Sequence, residues 1–328
     1  MNIRNLFIIF LFLSIFSCTT DNQERNTDVE RLNLSGKVKS LLKTNSRADS
    51  ILKETHRELS LFNSNGNIIE KQSFKKSGEK YKKWISIYDK NQFEIETIEI
   101  KYPNDTLKRW INKYDNSGNE IESLIYDHKD SILSHTKSEY NKFNKETESI
   151  ILKSRPAKNQ LVKVSYEYDD GGNEVKTTRY YVDKSKTEWF TKYDSFGNEI
   201  EWTVYDRMGN LERKDSTSYT YYNNNNIKEE KAYNTVDGPE FYSISIYDEK
   251  GNEIEYIEFL NDSIKSKELY FYDNNDVKTT KYFNSNGRLK KTIKLISEFD
   301  DNGNLIKESD YENGQLRTTK EYKIDYYK

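Results

Sequence analysis

The run Tyr114-Asp115-Asn116-Ser117-Gly118-Asn119-Glu120-Ile121-Glu122 decides how the rest of the chain is read. An aspartate at the first position of a four-residue bend can accept hydrogen bonds from backbone amides further on. A glycine at the fourth position accepts the left-handed backbone conformation. Together they predict a type I turn closed by a glycine bulge, a common connection between two antiparallel strands. The residues after the bend alternate polar and apolar, as a strand does. Before it, Trp110 stands four residues ahead of Tyr114, and that even spacing places both rings on one strand face.

The same pattern returns from Phe62, Tyr168, Tyr193, Tyr247 and Phe299, and in looser form from Tyr88, Tyr140, Tyr222 and Tyr272. The nine intervals between Phe62 and Phe299 average about 26 residues. Less regular turn signals fall between them, among them Ser77-Gly78, Gly209-Asn210 and Asn286-Gly287. Each period is therefore two strands and two turns, which leaves no room for crossover helices. Turn signals at Thr44-Asn45-Ser46 and Asp49-Ser50 favour two more strands over residues 41–58. The predicted fold is all-β: a long antiparallel meander of two-strand repeats over residues 33–328, forming one twisted, curved or spiral sheet.

The two faces of that sheet differ. In Glu199-Ile200-Glu201-Trp202-Thr203-Val204, Ile200, Trp202 and Val204 share one side, while Glu201 and Thr203 share the other. Trp84 and Trp189, like Trp110, lie four residues before their turn aromatic, so aromatic and isoleucine side chains line up across strands. The opposite face carries Glu, Lys and Thr and meets water.

The Tyr-Asp-x-x-Gly-Asn runs resemble the YD-repeat family, related to the RHS shells of bacterial secreted proteins and loosely to MORN-type hairpin repeats. Tyr311-Glu312-Asn313-Gly314-Gln315-Leu316 is a shorter relative of the motif, and Leu34-Ser35-Gly36-Lys37-Val38-Lys39-Ser40 looks like the first strand of Bacteroidetes-type lipoproteins carrying such repeats. The resemblance implies an array of hairpins laid side by side and, for function, an immunity or accessory factor of an RHS-type polymorphic toxin system.

Residues 1–17 hold one cation, Arg4, and an apolar run from Leu6 to Leu13, the layout of a secretory signal peptide. That run is shorter than the roughly 20 residues of a membrane-spanning helix. Ser14-Ile15-Phe16-Ser17-Cys18 resembles a bacterial lipoprotein signal, which implies acylation of Cys18 and a membrane partner reached through that lipid. Several acyl chains make a lasting anchor where one is marginal. Residues 18–32 read as the lipidated terminus and a flexible tether. Thr19, where an aspartate would mark inner-membrane retention in such lipoproteins, points to the outer membrane.

Of 328 residues, 34% are hydrophobic, 33% charged and 14% aromatic, with 26 Tyr, 3 Pro and a single Cys. Disorder is poor in aromatics, so that class is excluded; one cysteine excludes a disulfide scaffold. The net charge of −3 comes from interspersed signs, with no basic face for nucleic acid.

Catalytic signatures are absent from the sequence: it holds no nucleophile elbow, zinc-protease helix, phosphate loop or dinucleotide fingerprint. His128 and His135, near Asp127 and Asp130, have no metal-site spacing and read as exposed turn residues, as does His56. Glu199/Glu201 and Glu253/Glu255 lack the burial that a glycosidase pair needs, so a carbohydrate-active enzyme is the weaker alternative. Asp115, Asp194 and Asp248 cap turns, since one carboxylate per turn does not make a calcium site. Trp84, Trp110, Trp189 and Trp202 are the candidate ligand-stacking aromatics. No cofactor is expected. The sequence thus reads as a non-catalytic, lipid-anchored outer-membrane protein whose sheet is a binding or scaffold surface for protein or polysaccharide.

Overall fold

The computed structural model describes residues 26–48, 56–154, 160–234, 241–273 and 276–328. The described residues form one short helix, α1 (Asp28–Arg31), and 22 strands, each antiparallel to the next along the chain.

The hairpin at Tyr114 shows how a repeat is built. Strand Asp105–Tyr114 pairs with strand Glu120–Asp127. Asp115 Oδ1 accepts from the backbone N–H of Ser117 at 2.8 Å and of Asn119 at 3.0 Å. Gly118 sits at φ +84°, and its N–H donates to the Asp115 carbonyl at 3.1 Å. The Asn119 carboxamide ties the turn to itself and to its neighbour, donating to Asp115 Oδ2 at 2.9 Å and to Asn144 Oδ1 at 3.1 Å. Asp194 and Asp248 hold their turns in the same way. Where glycine is missing, Asn144 and Asn225 take the positive φ, the residue type that tolerates it next best.

Gly118→Val is expected to destabilise the protein by about 2 kcal/mol, combining the left-handed penalty with a crowded ring. A Cβ there would stand 2.8 Å from Phe93 Cζ. An unshifted thermal melt of that variant would contradict the turn assignment.

Each of these hairpins also slips register at its aromatic. Tyr114 faces Glu120, but Lys113 faces Glu122, and the same shift recurs at Tyr88, Tyr193, Tyr247 and Phe299. An extra residue on one strand bends it and increases its right-handed twist. Repeated around the sheet, that bend brings the two ends together. The first strand, Val38–Arg47, pairs with the last, Gln315–Tyr326, from Val38 opposite Tyr326 to Arg47 opposite Thr318.

This closure corrects the expected open, curved or spiral meander, and with it the YD-repeat and RHS-type hairpin array that the resemblance implied. The fold is a closed 22-strand antiparallel barrel. An open sheet would leave two edges with unpaired backbone groups; closure removes both. At about 4.8 Å per strand, 22 strands give a circumference of roughly 105 Å and a width of at least about 33 Å. A circular ring of that size is wider than side chains alone fill.

The densest packing lies at the seam. Val29, Val38 and Phe62 are buried there against Leu34, Leu41, Ile68, Ile324 and Tyr326. Val29, within the stretch read as a tether, belongs to this cluster. Thr27 and Glu30 form a capping box that folds α1, and Val29 N–H donates to the Gly66 carbonyl at 3.0 Å. Residues 1–25, which include the signal peptide and Cys18, lie outside the described residues.

Candidate functional site

The turns that follow Phe62, Tyr88, Tyr114, Tyr193, Tyr247 and Phe299 fall on one rim of the barrel, and both ends of the described chain reach it; the like turn at Tyr205-Asp206 lies on the other rim. Tyrosine hydroxyls stitch this rim together. Tyr88 donates to the Ile68 carbonyl at 2.8 Å, Tyr114 to Glu94 at 3.0 Å, Tyr140 to Glu120 at 3.0 Å and Tyr193 to Glu174 at 2.9 Å. Tyr327 repeats the contact across the seam, reaching the Phe62 carbonyl at 2.5 Å. The sequence pattern marks these tyrosines as turn residues. Their hydroxyl partners, one strand back, become visible only in the paired sheet.

Register separates the two faces. Trp189 stands opposite Thr177 and Val204, and Trp202 opposite Thr191 and Asp215. Trp84 faces Lys71 and Glu99, and Trp110 faces Thr97 and Ile125. Following these pairs around the closed sheet puts all four tryptophans on one face. Tyr88, Tyr168, Tyr219, Tyr247, Tyr256 and Tyr270 lie on it too. Burial pushes every one of those phenols up, Tyr168 to about 12. Desolvation of this kind marks the side where side chains converge, which is the inward face. The tryptophans are half-buried there, neither sealed into a core nor fully exposed.

The outward face carries ion pairs along its length. Lys113 meets Glu122 at 2.6 Å, Lys163 meets Glu148 at 2.6 Å, and Glu201 bridges Lys192 at 2.8 Å and Lys214 at 2.9 Å. His135 joins the same network, with Nε2 2.7 Å from Glu122 Oε1. His128 and His56 are exposed. Among the described residues no group of three His, Cys, Asp or Glu is placed to hold a metal ion.

The glutamate pairs part company. Glu201 and Glu255 point outward, the latter to Lys267 at 2.5 Å. Glu199 and Glu253, displaced by the register slip to stand opposite Tyr193 and Tyr247, are pushed up by burial. Glu230 and Glu268 on the inward face are raised for the same reason.

These shifts have a sign. A raised carboxyl binds its proton more tightly in the folded state, so its charge destabilises the fold at neutral pH and the penalty vanishes as pH falls through the folded pKa. Other carboxyls are lowered: Asp169 by the Asn173 carboxamide, Asp300 by the Tyr326 hydroxyl, and Glu122 by Lys113 and His135, to about 2. Their stabilisation is present above the ordinary carboxyl range and lost as pH falls below about 4. The melting temperature is therefore expected to rise from pH 7 to about 5 and to fall steeply towards pH 3. A monotonic decline from pH 7 would contradict the burial of Glu199, Glu230, Glu253 and Glu268.

At the turn rim, inside the mouth, a cavity of about 640 Å³ opens between α1 and the inward face. Tyr88, Tyr114, Asn67, Gln92, Asn112 and Glu94 line it, with Asp28 and Arg31 on the α1 side. The rings of Phe93 and Tyr114 stack at 4.8 Å beside it.

No protein-family model matches the chain, and no curated protein matches it. Among solved structures, a TcdB2-TccC3-TEV chain aligns with 86% of this chain and 19% of its own length, at 10% identity and a TM-score of 0.32. This chain thus spans about a fifth of that one. A porin-like protein from Bacteroides uniformis aligns over 89% of this chain and 99% of its own, at 11% identity and a TM-score of 0.30. A porin-like protein from Bacteroides vulgatus covers the same shares at 10% identity and a TM-score of 0.20. At these values none of the likenesses carries an argument about this chain.

Proposed function

We propose that the protein is a non-catalytic envelope barrel that holds a glycan on its inward face. The observation that supports this most is the placement of Trp84, Trp110, Trp189 and Trp202, all inward and all half-buried. Aromatic faces pack against the C–H faces of sugar rings, and neighbouring polar groups bind their hydroxyls. Thr97, Thr177, Thr191 and Asp215 stand directly opposite these rings in register. The outward face is rich in ion pairs, and its Tyr233–Tyr242–Phe259 ring cluster includes none of the four tryptophans.

That outward face also bears on how the barrel meets a membrane. Charged side chains facing lipid at the bilayer midplane cost about 2–4 kcal/mol each for Lys and Arg. Rows such as Lys192–Glu201–Lys214 therefore favour a barrel that sits at a membrane over one embedded in it. A lipid on Cys18 supplies the attachment. Eight backbone steps from Cys18 to Asn26 reach at most about 28 Å, which turns the turn rim towards the lipid. Cys18→Ala is expected to move the protein from the membrane to the soluble fraction.

Binding is tested on the purified full chain by tryptophan fluorescence and calorimetry against neutral oligosaccharides. Saturable binding that weakens at least tenfold in Trp189→Ala or Trp110→Ala supports the assignment. A chain that binds no oligosaccharide, or that turns one over, overturns it.

A further inference from the structure

The cavity inside the turn rim has a composition that selects among ligands. Its polar lining is carboxamide and carboxylate: Asn67, Gln92 and Asn112 beside Glu94 and Glu120, with Asp28 and Glu30 across from them. Arg31 is the one cation among the lining residues, and it is committed to Asp28 at 2.8 Å. A negatively charged ligand would meet carboxylates without a compensating cation. The stacked Phe93 and Tyr114 rings add an apolar ledge. Tyr88 and Tyr114 sit at the mouth ends of the strands that carry Trp84 and Trp110, on the same face, so the ledge continues inward towards those indoles.

We infer that this cavity is a binding site for a neutral carbohydrate chain, entered at the turn rim and running inward past Asn112 to Trp110. The inference rests on the reading that the inward face holds a glycan, and it adds where the chain enters and which sugars are refused. Carboxamides donate to and accept from vicinal hydroxyls, carboxylates accept from them, the Phe93–Tyr114 ledge takes a sugar face, and the acidic lining turns away uronic acids and sulfated sugars. Asn112 and Trp110 are two residues apart on one strand face, about 7 Å, so one bound chain can touch both. The volume of about 640 Å³ suits a short oligosaccharide segment. The α1 segment forms the outer wall, held by Asp28 Oδ2 accepting from the Ile68 N–H at 2.7 Å.

The test uses the full chain, with cellohexaose, maltohexaose, xylohexaose and mannohexaose as neutral probes and hexagalacturonate as the anionic one. Asn112→Ala is expected to weaken the best neutral probe at least tenfold. Gln92→Gly, which removes a carboxamide where the backbone already stands at φ +64°, is expected to weaken it about threefold and to keep the fold. Hexagalacturonate is expected to bind at least tenfold more weakly than the neutral probe. Parent affinity in both variants, with binding still lost in Trp189→Ala, overturns the entry site while leaving inward-face binding standing. Preference for hexagalacturonate overturns the ligand class. No binding of any probe defeats both.

Discussion

Phe62→Ala is expected to lower the stability of the barrel by about 3–5 kcal/mol. Phe62 is 1% exposed, the largest of the fully buried side chains, in a protein whose strands mostly carry half-buried residues. It fills the point where the second strand, α1 and the seam meet, with Val29, Val38, Leu41 and Ile324 around it. Truncation there opens a void at the place where the sheet closes, and the backbone around it cannot collapse without separating the first and last strands. Chemical denaturation measures the effect. A loss below about 1 kcal/mol would show that Phe62 sits on a surface and not in the seam.

Asn304→Ala is expected to cost about 2–3 kcal/mol, more than one hydrogen bond is usually worth. Its side chain is 1% exposed. Oδ1 accepts from the Ser35 N–H at 2.6 Å, and Nδ2 donates to the Ser35 carbonyl at 2.9 Å. Nδ2 also reaches the Tyr326 hydroxyl at 2.6 Å. Removing it leaves the backbone N–H and carbonyl of Ser35 without this partner in a part-buried place, and loosens the segment that carries α1. Asn173 holds the equivalent place in its own turn but touches only Asp169, at 3.0 Å. Asn173→Ala is therefore the control and should cost about 1 kcal/mol or less. Equal losses in the two variants would mean that Asn304 is only another turn residue.

Much of this was legible in the residues. Asp115 and Gly118 announce the hairpin because their chemistry acts within four residues, and alternation puts Trp110 with Tyr114 by geometry alone. Closure is different in kind. It results from a small extra bend at each turn aromatic, where Tyr114 faces Glu120 and Lys113 faces Glu122, and a bulge of that sort leaves no mark in composition. The same slip carries Glu199 and Glu253 into buried positions, while Glu201 and Glu255, two residues on, remain outward as their alternation suggests. Alternation alone also does not say which face is concave. The α1 segment is the opposite case: Thr27-Asp28-Val29-Glu30 is a legible capping box, hidden only by the polar residues around it.

The closed ring is tested most directly by joining its first and last strands. Thr44 and Glu321 stand opposite each other across the seam. With Cys18 replaced by serine, the double variant Thr44→Cys/Glu321→Cys is expected to form an intramolecular disulfide in mild oxidant. Mass spectrometry would find the two terminal strands linked in a monomer that migrates faster without reductant. Dimers alone, or free thiols under the same oxidation, would show two separate edges and no barrel.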